Sequence, residues 1–259
     1  MDSRYPEPFP ATETLDLGES CYLKIYKNKE NKNPKKAETV ILTIPGGGYE
    51  FVADREGYPI VNKFISFGYS SALLVYKVGY GCYPTNYNQG LKSIEHLSKQ
   101  FKNIVLIGFS AGGHFAGFLG TSERSKIPSV IGMILCYPVI TFGEKAHIGS
   151  AKHFLGDKFK DDEQRKNYSI ENRVNENTVP TFIWTTKDDN LVPYENTLLM
   201  VEKLKKYGIK YEVKLFESGV HGLSLADEST IENNNKNLVN KEVQQWVKIA
   251  DEFVESLIS

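Results

Sequence analysis

The sequence Gly108-Phe109-Ser110-Ala111-Gly112 constrains the fold of this chain more than any other feature. An apolar run at 104–107 precedes it and small, apolar residues follow it, which predicts a strand, a sharp turn and a helix. A serine at the apex of such a turn has a strained backbone and an exposed hydroxyl. Gly108 and Gly112 fit because a side chain at either position would collide across the corner. The pattern therefore predicts that Ser110 is a nucleophile.

A serine nucleophile needs a histidine that takes its proton, and on this type of fold the histidine comes late in the chain. Of the five histidines, His221 follows the strand-like run 211–216 and lies in a loop between two glycines. Loops at the carboxyl ends of parallel strands gather where ligands bind. We therefore predict that His221 is the base. His114, four residues after Ser110 on the same predicted helix, is expected to pack behind the nucleophile.

Two adjacent aspartates compete for the role of the acid that orients this histidine. Asp188 and Asp189 both follow the predicted strand 181–186. Asp189 lies four residues before Pro193, which is well suited to the first turn of the next helix. We expect Asp189, within the turn, to be the acid and Asp188 to bond nearby backbone N–H groups.

A glycine-rich segment, Pro45-Gly46-Gly47-Gly48-Tyr49, follows another predicted buried strand at 40–44. Three consecutive glycines let the backbone approach a reacting carbonyl and turn N–H groups toward its developing negative charge. The N–H of Ala111, directly after the nucleophile, is the other expected donor. A flexible linker would not follow a buried strand so closely, and the phosphate-binding pattern G-x-x-x-x-G-K-[ST] is absent from the sequence.

Five motifs carry a resemblance to a known family, and in chain order they are Pro45-Gly46-Gly47-Gly48-Tyr49, Tyr76-Lys77-Val78, Gly108-Phe109-Ser110-Ala111-Gly112-Gly113-His114, Asp189-Asn190-Leu191-Val192-Pro193 and Gly219-Val220-His221-Gly222. Together they resemble the α/β-hydrolase esterases, specifically the acetyl-xylan-esterase-like and feruloyl-esterase-like (carbohydrate esterase) branch. The resemblance extends from about Cys21 to the C-terminus.

The resemblance implies a role for six residues. Its catalytic triad is Ser110, Asp189 and His221, and its oxyanion hole is formed by Gly47, Gly48 and Ala111. Two positions depart from related patterns. Pro45 stands where the hormone-sensitive-lipase branch has histidine, which argues against that branch, and Lys77 stands where arginine is commoner, which leaves the chemistry untouched.

Strand-like and helical patterns alternate along the chain. The predicted strands are Cys21–Tyr26, Val40–Ile44, Ser71–Tyr76, Ile104–Gly108, Ile131–Tyr137, Thr181–Thr186 and Tyr211–Phe216. The predicted helices are Tyr58–Phe67, Asn88–Phe101, Ala111–Gly120, Tyr194–Tyr207 and Lys241–Ile258. This alternation predicts the α/β class, with a mainly parallel sheet covered by helices on both faces. We expect one α/β-hydrolase domain over residues 1–259.

A polar segment, about 139–179, interrupts the alternation between the nucleophile strand and the acid strand. A connection of this length is usually functional or mobile, so we expect a small cap-like insertion over the site. A surface excursion without substrate contact is the alternative. Candidate lining residues of the cap are Phe142, His147, His153, Phe154 and Leu155. The residues expected to contact substrate are Tyr49, Tyr80, Tyr83 and His153, the tyrosines by stacking on a sugar ring or an aromatic acyl group.

The composition limits the kinds of partner that the protein is expected to bind. With 31 basic and 32 acidic residues, the chain has no basic field for nucleic acid or an anionic membrane surface. No apolar run approaches the ~20 residues of a membrane span, and the N-terminus lacks the apolar core of a signal peptide, so we expect a cytoplasmic protein. Three widely spaced cysteines form neither a disulfide framework nor a metal motif, and we expect no metal and no cofactor. The oligomeric state, including a homo-oligomer, stays open.

These features predict a serine carboxylic-ester hydrolase that acts through an acyl-enzyme on short-chain acyl esters. An acetylated sugar or a xylan-derived oligosaccharide is the expected small-molecule substrate. Three alternatives remain: a serine peptidase of the prolyl-oligopeptidase type, a catalytically inactive binding module on the same fold, and a true lipase. The first normally carries a large extra domain, and the last would need a long apolar lid that the sequence does not show.

Overall fold

A computed structural model describes residues 5–28 and 33–259, and within these ranges eight strands form one sheet. The strands, β1 to β8 in chain order, are Glu13–Gly18, Cys21–Tyr26, Thr39–Ile44, Ser70–Val75, Asn103–Phe109, Val130–Cys136, Thr181–Thr186 and Tyr211–Phe216. Their order across the sheet is β1-β2-β4-β3-β5-β6-β7-β8. β1 and β2 pair antiparallel with their neighbours, and the six strands from β4 to β8 pair in parallel. The predicted mainly parallel sheet is confirmed.

The central strands are buried on both faces, as a parallel sheet between two helical layers requires. Every residue of β3 is buried. In β5, Ile104 and Leu106 join the core on one face, while Val105 and Ile107 join the core on the other. The edge strand β1, in which half-buried and exposed residues alternate, was not among the predicted strands. Its short alternating sequence lacks the continuous apolar run that indicates the other strands.

The helices, α1 to α8 in chain order, are Pro34–Ala37, Tyr58–Ser66, Thr85–Ser98, Ala111–Gly120, Ile148–Leu155, Asp162–Tyr168, Glu195–Lys206 and Trp246–Ile258. Five of them correspond to predicted helices, with ends that differ by a few residues. The largest difference is at α8, which begins at Trp246 after a short 3-10 turn at Val243–Gln245. No helix in the described parts of the chain is both long and apolar enough to cross a membrane.

The segment 139–179 contributes two short helices, α5 and α6, between β6 and β7. Three of its five candidate lining residues are buried in the core instead of facing a cavity: Phe142, Phe154 and Leu155. The ring of Phe142 stacks on His114 with centroids 4.3 Å apart. Part of the segment therefore completes the core behind helix α4, and the expectation that these three residues line the cap is wrong.

Parallel pairing brings the carboxyl ends of β3, β5, β7 and β8 to one edge of the sheet. The glycine-rich segment follows β3, and Ser110 follows β5. Asp189 lies three residues beyond β7, and His221 five residues beyond β8. The topology thus places four segments that are distant in sequence at a single edge, where ligands of α/β sheets bind.

Candidate active site

Ser110 occupies a sharp turn between β5 and α4. Its backbone has φ 53° and ψ −117°, a strained conformation that only a surrounding structure can hold in place. Glycine is required at both flanking positions because a side chain would clash with the backbone. A Cβ at Gly108 would lie 2.2 Å from the Gly112 oxygen. A Cβ at Gly112 would lie 2.2 Å from the oxygen of Ile44. Helix α4 therefore packs directly against the end of β3, and this brings Ser110 next to the glycine-rich segment.

His221 and Asp189 complete a chain of hydrogen bonds from Ser110. Nε2 of His221 lies 2.8 Å from Oγ of Ser110, and Nδ1 lies 2.6 Å from Oδ2 of Asp189. The other carboxylate oxygen of Asp189 accepts the backbone N–H groups of Leu191 and Val192 at 3.0 and 2.9 Å. These two bonds fix the carboxylate, which can then hold the imidazole in the tautomer that presents an unprotonated Nε2 to the serine.

Asp188 lies beside this arrangement and serves the histidine loop. Its Oδ1 accepts the N–H of Gly219 at 2.6 Å, across 31 residues of sequence. Gly219 has φ +153°, and a Cβ there would lie 2.7 Å from Leu223. Asp188 thus holds the start of the loop that carries His221, and it bonds a backbone N–H that is distant in sequence.

Three backbone N–H groups beside Ser110 have no acceptor within the described residues: those of Gly47, Gly48 and Ala111. Gly47 and Gly48 have φ of +108° and +67°, conformations that favour glycine. Gly47, Gly48 and Ser110 line one cavity together with His221. Unpaired N–H groups beside a nucleophile are the arrangement that stabilises an oxyanion.

A buried carboxylate that the sequence did not indicate supports this glycine segment. Glu56 accepts the N–H of Gly46 at 2.8 Å through Oε2 and the hydroxyl of Tyr137 at 2.8 Å through Oε1. The Tyr137 hydroxyl accepts in turn the N–H of Ser224, beyond the histidine loop, at 2.9 Å. The Tyr137 ring also packs edge-on against His221, with centroids 5.1 Å apart. Glu56 therefore links the two loops on either side of Ser110. Its burial could not be predicted from the sequence, because its neighbours Asp54 and Arg55 are charged and indicate an exposed stretch.

The cavity that opens onto Ser110 has a volume of about 430 Å³. Phe51 and Leu191 supply apolar surface, and both are about half exposed, at 58% and 48%. Charged groups also line it: Glu50, Asp54, Arg55, Glu56 and Glu232. His147 is the residue of the 139–179 segment that reaches this cavity.

None of the four residues predicted to contact substrate lines this cavity. Tyr49 is fully buried and bonds His114, because its left-handed backbone (φ +59°) directs the ring into the core. Tyr83 packs among aromatic rings and lies 4.7 Å from that of Tyr168. Tyr80 is exposed and bonds Asp157.

His153 is half-buried at the back of the glycine segment. Its Nδ1 lies 3.1 Å from the carbonyl oxygen of Gly48, so the ring contacts the segment from behind. The prediction that Tyr49 contacts substrate is wrong, because its side chain is fully buried. Tyr80, Tyr83 and His153 do not line this cavity, and their contact with substrate stays a prediction.

Comparisons with known proteins identify the family of this chain. The BD-FAE family model matches residues 23–204. Endo-1,4-beta-xylanase B of Butyrivibrio fibrisolvens is 32% identical over 211 residues, which cover 73% of this chain and 33% of that protein. An acetylxylan esterase of Xylanibacter ruminicola is 29% identical over 194 residues, 70% of this chain and 40% of that protein. The chain spans about a third to two fifths of the length of these curated relatives.

A solved structure extends the likeness to nearly the whole chain. The crystal structure of an acetyl ester-xyloside bifunctional hydrolase from Caldicellulosiruptor lactoaceticus is 31% identical, with a TM-score of 0.79. The match covers 95% of this chain and 97% of that one. The resemblance to acetyl-xylan-esterase-like enzymes is thus confirmed. The chain has the α/β-hydrolase fold and belongs to the BD-FAE family.

Proposed function

We propose that this protein is a serine esterase, a carboxylic-ester hydrolase in which Ser110, His221 and Asp189 form the catalytic triad. The observation that carries the proposal is the pair of hydrogen bonds through His221, 2.8 Å to Ser110 and 2.6 Å to Asp189. Family membership in BD-FAE and the likeness to an acetylxylan esterase support it.

The reaction proceeds by two acyl transfers. Nε2 of His221 takes the proton of the Ser110 hydroxyl as Oγ bonds to the ester carbonyl carbon, and the N–H groups of Gly47, Gly48 and Ala111 bind the resulting oxyanion. His221 then gives its proton to the leaving alcohol as the ester C–O bond breaks. Water, deprotonated by the same histidine, attacks the acyl-enzyme, and the acid leaves as Ser110 regains its proton. Each oxyanion donor contributes roughly 100- to 1000-fold in rate.

The substrate class is a short acyl ester, with an acetylated sugar or xylan-derived oligosaccharide as the favoured substrate. Two of the compared proteins are named for acetyl esters, an acetylxylan esterase and an acetyl ester-xyloside hydrolase. The cavity of about 430 Å³ mixes apolar and charged walls, which suits a polar alcohol better than a long acyl tail.

We further infer that residues 1–259 act as one α/β-hydrolase unit in which 139–179 is a small cap-like insertion. Helix α5 contacts the glycine-rich segment through His153, and His147 at the start of α5 lines the Ser110 cavity. Other residues of the insertion, such as Phe142 and Phe154, anchor it by packing in the hydrophobic core.

The decisive experiment compares Ser110→Ala, before helix α4, with the same substitution at a serine beyond the other end of that helix. Ser110→Ala should abolish hydrolysis of 4-nitrophenyl acetate and labelling by a fluorophosphonate probe, with the melting temperature retained. Ser122→Ala, just beyond the C-terminal end of α4, should keep both, because the Ser122 hydroxyl bonds Phe118 and Tyr87, away from the cavity. Labelling of Ser110→Ala at the rate of the parent protein would refute the proposal.

A further inference from the structure

His147 is a histidine in the Ser110 cavity with no role in the proposed proton transfers. It stands at the N-cap of helix α5, where its side chain accepts the N–H of Ser150. Serine, threonine, aspartate and asparagine are the usual residues at this position. A histidine here therefore combines a structural bond through one ring nitrogen with a second nitrogen that is free for other contacts.

The cap bond fixes the tautomer of this ring. Nδ1 lies 3.2 Å from the backbone nitrogen of Ser150 and 2.7 Å from its Oγ. A backbone N–H can only donate, so Nδ1 accepts, and a neutral ring carries its proton on Nε2. Burial lowers the pKa of His147, and the neighbouring His221 and His153 lower it further. The ring is therefore neutral at pH 7, with a fixed Nε2–H donor.

The free edge of the ring faces the reaction site. Cε1 of His147 lies 3.8 Å from the position of a Cβ built on Gly48, one of the proposed oxyanion residues. His147 lines the cavity that contains Ser110 and His221. Within the described residues, Nε2 has no hydrogen-bond acceptor. A substrate that fills the cavity and displaces water would leave this donor unpaired unless the substrate supplies an oxygen.

We propose that the Nε2–H of His147 donates a hydrogen bond to an oxygen of the alcohol part of the substrate, a hydroxyl or ring oxygen beside the reacting ester. This inference rests on the proposed function. When bound substrate excludes water, this fixed donor favours substrates that offer it an acceptor oxygen. An analogue without that oxygen leaves the N–H buried and unsatisfied. His147 is thus a specificity-determining residue that favours sugar esters over esters of simple aromatic alcohols.

The test measures kcat/KM for two acetyl esters, a monoacetylated methyl xyloside and 4-nitrophenyl acetate, in the parent protein and in His147→Phe. Phenylalanine keeps the ring but removes both nitrogens. We expect kcat/KM for the xyloside to fall roughly 10- to 100-fold more than that for 4-nitrophenyl acetate, the range for losing one donor in a desolvated site. His147→Gln, which retains an N–H at similar reach, should recover part of the xyloside preference.

Three results would overturn the inference. Equal losses on both esters would mean a general role in shaping the site, equal retention would mean no contact, and a parent protein that does not turn over the xyloside would remove the alcohol contact altogether. His96→Gln is the matched control, since His96 pairs with Glu13 away from the cavity and should leave the ratio unchanged. Loss of 4-nitrophenyl acetate hydrolysis in Ser110→Ala separates failure of this inference from failure of the proposed triad.

Discussion

The hydroxyl of Tyr49 donates a 2.8 Å hydrogen bond to Nδ1 of His114 behind the nucleophile helix. Nε2 of His114 lies 2.8 Å from the carbonyl oxygen of Tyr168, which can only accept, so the proton is on Nε2 and Nδ1 is the acceptor. Burial raises the pKa of Tyr49 well above its usual range, and the phenol stays protonated. This pair ties the residue after the oxyanion glycines to helix α4 and to the insertion.

Tyr49→Phe therefore tests a structural role. The substitution leaves Nδ1 of His114 buried without a donor, which should lower the free energy of unfolding by about 1–3 kcal/mol. KM for a short acetyl ester should change little, since Tyr49 does not line the cavity. Urea unfolding and steady-state kinetics on the same preparation measure both. A large rise in KM with unchanged stability would instead indicate that the Tyr49 ring stacks on the substrate, as the sequence predicted.

His114 makes stability depend on pH. Burial lowers its pKa from 6.5 to about 3. Between these values the unfolded chain binds a proton that the folded protein excludes. The stabilisation from His114 is therefore complete above pH 6.5 and is lost as the pH falls toward 3. Each pH unit in this window costs about 1.4 kcal/mol.

Comparison with His114→Gln isolates this contribution. Glutamine keeps an N–H for Tyr168 and does not titrate. The stability advantage of the parent protein over this variant should shrink by about 1.4 kcal/mol per unit between pH 6 and pH 4, measured by urea unfolding. An advantage that stays constant across that range would mean that His114 takes up its proton equally in both states.

Asp189→Asn should stop turnover almost completely. The retained oxygen must face the N–H groups of Leu191 and Val192, so the new amide nitrogen faces His221 and donates to its Nδ1. The imidazole then carries its proton on Nε2 and cannot accept one from Ser110. By analogy with serine proteases, kcat should fall roughly 10⁴-fold.

The neighbouring aspartate provides the matched control. In Asp188→Asn the amide oxygen can still accept the N–H of Gly219, so the histidine loop keeps its anchor. Steady-state assays of 4-nitrophenyl acetate hydrolysis should show a loss of kcat far smaller than that in Asp189→Asn. The reverse order of the two losses would mean that Asp188 is the orienting acid.

The sequence predicted the residues whose positions follow from strand ends. Ser110, Asp189 and His221 each follow a recognisable strand, and parallel pairing alone brings such segments to one edge. Tyr49 shows where this reasoning ends. Its ring direction depends on two preceding glycines with positive φ, and the sequence does not state which way such a turn sends the next side chain.

Glu56 shows a second kind of limit. It lies in a charged stretch, Asp54–Glu56, that looks solvent-exposed, yet it is only 2% exposed. Its burial depends on Gly46 and Tyr137, two partners that lie 10 and 81 residues away. Contacts between residues that are distant in sequence leave no local pattern, whereas strands, turns and helices do.

Glu56→Gln should weaken both stability and catalysis. Both carboxylate oxygens accept hydrogen bonds, and an amide can accept only on one side, so it must turn a donor toward Gly46 or Tyr137. We expect a loss of about 1–3 kcal/mol in unfolding free energy. A shift of the glycine segment would cost up to about 100-fold in kcat, since the oxyanion donors move with it. Glu176→Gln, an exposed carboxylate that does not line the cavity, is the control and should retain both.

The length of the acyl chain provides the last prediction. Apolar surface in the cavity is confined to a few side chains, chiefly Phe51 and Leu191, and charged groups such as Arg55 and Glu232 lie close to them. A buried methylene contributes ~0.8 kcal/mol, but only where it meets an apolar wall, and a longer tail would begin to cover charged groups that need water. We therefore expect kcat/KM to be highest for acetyl to butyryl 4-nitrophenyl esters and lower for the octanoyl ester. A steady rise through the decanoyl ester would contradict this and would favour a lipase, with apolar surface that opens in the presence of substrate.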